Sequence, residues 1–301
     1  MNESSSTPFG DSSGVERSTA HGLPCVRVRT RAASGLVFLQ GAHIAEWRPA
    51  EQDPVLWMSD RALYRAGKAL RGGVPICFPW FGAHAEHENH PAHGFARTTE
   101  FKYQGARLDE GGRTELEFLL EDDAATYAMF PHAFEARLRV AFGETLGIAF
   151  SVTNRSSDPF TFEEALHSYF HVADVRDTAV VGLQGSNYHD KTRGLAEFSE
   201  SAPELRLRSE TDRVYDSSAA CTIVDARSGR SLRVEKSSSQ NTVVWNPWAE
   251  KSAQIADLGS DAWLHMLCVE SANVAGSRVS LNPGASHTLS VTVSVASSGS
   301  S

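Results

Sequence analysis

The sequence predicts an all-β protein, a large antiparallel β-sandwich or barrel, and three observations carry that prediction. Short segments rich in β-branched and aromatic residues recur along the chain. Turn residues punctuate them, and convincing amphipathic helices are scarce. The alternation of strand with long helix that a βαβ fold requires is missing.

The elements follow in order. Residues 137–142 (RLRVAF) and 147–152 (GIAFSV) flank a short glycine-containing turn and predict a hairpin. Residues 154–159 (NRSSDP) carry loop chemistry, and Phe160–Phe162 resumes extended structure. Residues 221–225, 231–235, 242–245, 265–270 and 288–295 read as further strands. Only 54–66 and 125–129 suggest a helical turn or two. Residues 1–20 and 298–301, rich in Ser, Gly and Thr, are expected to be disordered tails. With no linker and no repeat between them, 21–297 is expected to form a single domain.

Composition excludes several function classes. The formal net charge is −9, so nucleic acid and anionic membranes are not expected partners. No apolar run approaches the roughly 20 residues of a membrane span, and the polar start MNESSSTPFGDSSG is not a secretory leader. Cys25, Cys77, Cys221 and Cys268 form no C-x-x-C pair and read as free buried thiols in a reducing compartment. A soluble, cytoplasmic, monomeric protein is the expectation. There is no phosphate-cradling G-x-x-x-x-G-K-[ST], no G-x-G-x-x-G opening a helix and no G-x-S-x-G elbow.

Polar residues cluster in four places. Residues 70–97 hold two arginines, Arg71 before a Gly-Gly pair and Arg97 closing His93-Gly-Phe-Ala-Arg97. A guanidinium fork suits a phosphate or carboxylate, although both arginines could equally be surface loop residues. Pro75, Phe78, Pro79, Trp80 and Phe81 supply aromatic walls for a ligand or for the core. Between the arginines, His84, His87, His90 and His93 recur every third residue, a pattern that invites metal but is disturbed by Pro91. The second cluster is Glu163-Glu164-Ala-Leu-His167-Ser-Tyr169-Phe-His171, where His167 titrates closest to neutrality or is a satisfied core histidine. The third is His265-Met-Leu-Cys-Val-Glu270, a carboxylate ending an apolar run, either capped by an ion pair or held at a cleft. The fourth, Thr211-Asp212-Arg213-Val-Tyr215, reads as a turn with an internal ion pair or as part of a site.

Nine short motifs occur in one order: GAHI at 41–44, VLWMS at 55–59, RGGVP at 71–75, PWFG at 79–82, HGFAR at 93–97, LHSYF at 166–170, TDRVY at 211–215, VWNP at 244–247 and CVE at 268–270. In these the chain, from about Leu36 onward, resembles the hexose-6-phosphate mutarotase branch of the aldose 1-epimerase family. The resemblance implies a galactose mutarotase-like β-sandwich that interconverts the anomers of a hexose 6-phosphate without a cofactor or metal. It implies His167 as general acid and Glu270 as general base, with Arg71, Arg97 and Asp212 holding the sugar phosphate. Ala92 stands where some members carry Gln, which removes a side-chain contact.

The chemistry asks for little more. A hemiacetal opens when the anomeric hydroxyl loses a proton and the ring oxygen gains one, and it recloses on the other face of the aldehyde. In this reading Glu270 takes the first proton while a protonated His167 gives the second. Glu163, Glu164 and Asp174 are candidates to stabilise the imidazolium, and His93 and His171 to bind sugar hydroxyls. Two rival readings stand beside it: a non-catalytic carbohydrate-binding sandwich, and a metal-dependent enzyme using the 84–93 histidines.

Overall fold

The computed structural model describes residues 9–10 and 12–297. Residues 1–8 and 11 of the tail expected at 1–20, and the whole of the tail expected at 298–301, lie outside the described residues. The architecture is antiparallel throughout its named strand pairs and has two large sheets. A nine-stranded sheet runs in the order Glu204–Leu205, Thr178–Val181, Cys221–Asp225, Arg230–Ser237, Ser286–Ser297, Thr145–Asn154, Phe134–Phe142, Thr114–Glu121, Lys102–Leu108. The second sheet runs Ala196–Ser199, Asn187–Asp190, Thr211–Asp216, Asn241–Asn246, Met266–Asn273, Glu164–Leu166, Ile76–Cys77, with Tyr169–His171 also on Met266–Asn273. A four-stranded meander and a two-stranded ribbon complete it.

Alternation explains the strands. In Thr145–Asn154 the residues Leu146, Ile148, Phe150 and Val152 point inward and every second residue lies partly open. This strand pairs with Phe134–Phe142, so the predicted hairpin forms, with longer arms than expected. The other predicted strands also form, except that His265 ends a 3₁₀ turn before Met266–Asn273 begins. The helical turn at 125–129 lies within the helix Ala124–Met129, capped by Asp123, whose carboxylate accepts the N–H groups of Ala125 and Thr126.

Two expectations fail. Residues 54–66 contain no helix and run as loop with isolated bridges to neighbouring segments. The tail assigned to 1–20 includes a strand, Val15–Ala20, which pairs along its length with Leu23–Arg29. Its Ser and Thr face mostly outward, so composition resembled a tail while backbone pairing, which needs no apolar side chain, made a sheet edge. The turn at His21 and Gly22, both at positive φ, closes this hairpin. The helix Trp248–Gln254 was not expected at all.

The main core packs the inner faces of both large sheets and the meander together. At its centre Phe78 lies 5.3–6.0 Å, ring to ring, from Phe95, Phe130, Phe134, Phe150 and Phe162. Such edge-on pairs contribute about 0.5–1.5 kcal/mol each beyond area burial. Phe78 is therefore core, while Trp80 and Phe81, two and three residues later, are only half-buried. The arginine-rich segment is thus pinned to the core at Phe78 and turned outward immediately after it. Among the described residues no helix is long and apolar enough to cross a membrane.

Gly94 holds this pin close. Its φ is +75°, and a Cβ there would fall 1.9 Å from the carbonyl oxygen of Phe78. Gly94→Ala is expected to destabilise the protein by about 3 kcal/mol, a Tm loss of roughly 6–12 °C for a chain of this size. A thermal melt checks this, and an unchanged Tm would show that the 78–94 contact is dispensable.

Candidate active site

The register of one strand pair creates the site. Leu166 faces Ser271 and Tyr169 faces Cys268 across the sheet, so His167 and Glu270, 103 residues apart in the chain, come side by side between those two pairs. His167 is further held by its own N–H, which donates to the carbonyl of Pro75 at 3.0 Å. Its Nε2 lies 3.4 Å from Glu270 Oε1. Both side chains are buried, at 7% and 1% exposure. His167 stacks on Tyr169, 4.8 Å between centroids at 9°, which orients the imidazole.

A cavity of about 270 Å³ opens over this pair. Its polar wall is Arg71, His93, Lys191 and Asp212, and its apolar wall includes Phe81 and Trp245. A larger cleft of about 540 Å³ around Glu121 and Arg155 holds none of the predicted site residues. Arg71 is anchored from behind: Nε and Nη2 both reach Asp257 Oδ1 at 3.2 Å, and Nη1 donates to the Tyr169 hydroxyl at 3.2 Å. His93, at φ +63°, accepts the Gly82 N–H on Nδ1, so its own proton sits on Nε2. Asp212 is three-quarters or more buried and pairs with Lys191 at 3.5 Å, while Lys191 Nζ lies 4.5 Å over the Phe81 ring.

Arg97 stands outside the cavity lining. Its Nη2 donates to the Ala92 carbonyl at 2.6 Å, and its Nε is buried with no partner within the protein. Its charge nevertheless reaches His93, His167 and Glu270. The structure therefore gathers His167, Glu270, Arg71, His93 and Asp212 around one space and sets Arg97 at its flank. His171 is not there: it is exposed and stacks on His265. Glu163, Glu164 and Asp174 do not reach the imidazole either. Glu163 holds the Phe81 N–H and Arg278, Glu164 binds Asn273 and His287, and Asp174 binds Arg176 and Arg227. The rings of His84, His87 and His90 cluster on Trp80, outside the cavity lining.

Burial dominates the electrostatics. It pushes the Glu270 carboxyl well above the usual range; Lys191 and Arg97 oppose the shift and Asp212 adds to it. Burial also pushes the His167 imidazole well below its ordinary value, and His93, Arg97 and Arg71 push the same way. Burial and then Arg97 lower His93 to about 3, so it is a neutral donor. The directions for Glu270 and His167 favour a neutral imidazole beside a protonated carboxyl in the unliganded protein. Both shifts work against the protonated His167 and ionised Glu270 that the reaction is expected to use, because neither charge is solvated in the pocket.

Phe81, one of the aromatic walls expected from the sequence, lines the cavity, whereas sequence reasoning missed Lys191 and Trp245. Lys191 follows directly on the short strand Asn187–Asp190, and nothing in NYHDKTRG distinguishes it from a surface lysine. Only the pairing of that strand with Thr211–Asp216 brings Lys191 to Asp212.

The comparisons with known proteins agree with this architecture. The sequence profile of the aldose 1-epimerase family matches residues 24–294. A protein of Cenchrus ciliaris, provisionally named glucose-6-phosphate 1-epimerase, is 32% identical over 276 residues, covering 88% of this chain and 83% of that one. The crystal structure of a provisionally named mutarotase, YeaD, from Salmonella typhimurium superposes with a TM-score of 0.88 at 31% identity, covering 96% of this chain and 97% of that one. A galactose mutarotase-like protein from Lactobacillus casei, 17% identical with a TM-score of 0.71, covers 90% of this chain and 100% of its own and shares the fold. The chain belongs to the aldose 1-epimerase family and is an isomerase on a galactose mutarotase-like β-sandwich.

Proposed function

We propose that this protein interconverts the α and β anomers of a hexose 6-phosphate, glucose 6-phosphate foremost, with His167 and Glu270 moving the protons. The observation that carries this reading is the buried contact of 3.4 Å between an imidazole and a carboxyl beneath a cavity of sugar size. The relatives' names point to the same substrate. The reaction transfers only protons, so the site needs no cofactor. The absence of a nucleic-acid or anionic-membrane partner accords with the net charge of −9, and a cytoplasmic monomer remains the reading made from the sequence.

Substrate binding supplies what the unliganded pair lacks. Burial is the main cause that holds His167 neutral, and a phosphate on Arg71, with Arg97 alongside, cancels positive charges that add to it. Arg71 acts on His167, whereas Lys191 acts on Glu270. Neutralising the arginine therefore favours a proton on the imidazole while Lys191 continues to favour the carboxylate. The proton crosses the short contact, and the pair becomes an imidazolium and a carboxylate. Glu270 then takes the proton of the anomeric hydroxyl as His167 gives one to the ring oxygen. After rotation about C1–C2, the transfers reverse. His93 Nε2–H and Asp212 are placed to hold sugar hydroxyls, and the apolar walls keep water from the open-chain aldehyde.

Exchange spectroscopy on glucose 6-phosphate should show acceleration over buffer that Glu270→Gln lowers by roughly 10²–10⁴-fold. A protein that binds the sugar without acceleration would be a non-catalytic lectin on this fold. The same variant has a stability signature. The raised Glu270 keeps a proton in the folded state that the unfolded chain loses above the ordinary value of 4.5, so wild-type stability falls as pH rises through that value toward the folded pKa. Glu270→Gln should flatten that fall, seen in thermal melts across pH.

Arg71→Ala should raise KM for glucose 6-phosphate by roughly 10–100-fold and leave KM for free glucose nearly unchanged. Equal effects on both sugars would remove phosphate from Arg71. Lys191→Met should move the acidic limb of the pH–rate profile upward, because Glu270 loses its leading cation, and Lys191→Arg should restore it. An unmoved profile would make Lys191 a sugar contact alone.

A further inference from the structure

The buried pair has a third neighbour. Cys268 precedes Glu270 by two residues on the strand Met266–Asn273, so both side chains emerge on the same face of the sheet. One donor atom each from His167, Cys268 and Glu270 lies within 4.8 Å of the others, and all three residues are buried. Among the described residues this is the one trio of imidazole, thiol and carboxyl groups gathered so tightly. The histidines at 84, 87 and 90, which attract attention in the sequence, are not such a set.

The geometry suits a small tetrahedral ion. Two ligands at about 2.0–2.2 Å from a zinc ion stand roughly 3.3–3.5 Å apart. His167 Nε2 and Glu270 Oε1 are already 3.4 Å apart. Glu270 Oε2 and His167 Nδ1 have no partner within the protein, so no hydrogen bond at those atoms resists a small turn toward an ion. Cys268 needs a movement of about an ångström or less to complete three ligands at ordinary zinc distances. His167 and Glu270 line the cavity, which leaves a fourth position open toward it.

We propose that His167, Cys268 and Glu270 form a binding site for a thiophilic divalent cation of the zinc class, reached through the sugar cavity and occupied in competition with substrate. The donor set selects the ion: nitrogen, sulfur and one carboxylate suit zinc, cadmium or cobalt, whereas magnesium and calcium require oxygen ligands. The exchange balances as follows. One divalent ion binds the neutral imidazole, the Cys268 thiol and the protonated Glu270 carboxyl, and two protons leave to solvent. No electron moves and no oxidant is needed. With its acid and base both ligating, the enzyme stops, and a chelator restores it.

The test uses the untagged full chain and cobalt(II) as probe, because a thiolate on cobalt gives a near-ultraviolet charge-transfer band. The expected result is that band in the wild type, its loss on adding zinc or excess glucose 6-phosphate, and its absence in Cys268→Ser. Zinc should also inhibit anomer exchange competitively, with an inhibition constant raised roughly 10-fold or more in Cys268→Ser relative to that variant's own metal-free rate. Only this inhibition arm rests on the proposed catalytic roles; the spectrum reads the site without turnover. Should Cys268→Ser fail to fold, displacement of the wild-type band by glucose 6-phosphate still decides. No charge-transfer band in the wild type overturns the proposal. So does a signal that survives Cys268→Ser but vanishes in His87→Ala, which would assign the ion to the exposed loop.

Discussion

Everything at the site depends on one constraint, the enclosure of an imidazole and a carboxyl side by side where neither can hold its charge against water. A lone buried carboxylate is expensive, and so is a lone buried imidazolium. Here they lie 3.4 Å apart, and burial works against the charged form of each. The neighbouring elements serve that arrangement. The paired strands supply the register, Tyr169 fixes the ring plane, and Asp257 holds Arg71 from behind. A more open site would leave the two groups nearer their solution ionisation.

The two large sheets divide the labour. The nine-stranded sheet has strands of up to 12 residues and contributes Phe134 and Phe150 to the aromatic core around Phe78. The second sheet has shorter strands, several of three or four residues, and supplies Glu270, Asp212 and the segment carrying His167. Short strands end often, and each end offers a turn from which a side chain can enter the cavity. Lys191 enters this way, from the 3₁₀ turn that follows Asn187–Asp190. Glu270 and Asp212 come from within strands of the second sheet, and His167 and Lys191 from its interruptions.

The same enclosure makes the site vulnerable. A thiol, an imidazole and a carboxyl within one small buried volume are matched to soft divalent ions as well as to proton transfer. Cys268 occupies that place because strand alternation puts every second residue of Met266–Asn273 on the cavity side. The face that presents the base cannot avoid presenting its neighbour two residues away.

Much of this was written locally. Alternation of apolar residues in 145–154 and 134–142 determined those strands, because a period of two has only one side to bury. Ordered motifs marked His167, Glu270, Arg71 and Asp212 as one set. What local pattern could not carry was pairing and environment. The strand Val15–Ala20 is made by backbone partners that its polar composition does not announce. The placement of Lys191 against Asp212 and the stacking of the exposed His171 on His265 depend on residues far apart in the chain, while Arg97 folds back on Ala92, five residues away. The opposed shifts of His167 and Glu270 were likewise decided by tertiary structure alone, because desolvation is a property of the surrounding volume and not of the residue that carries the charge.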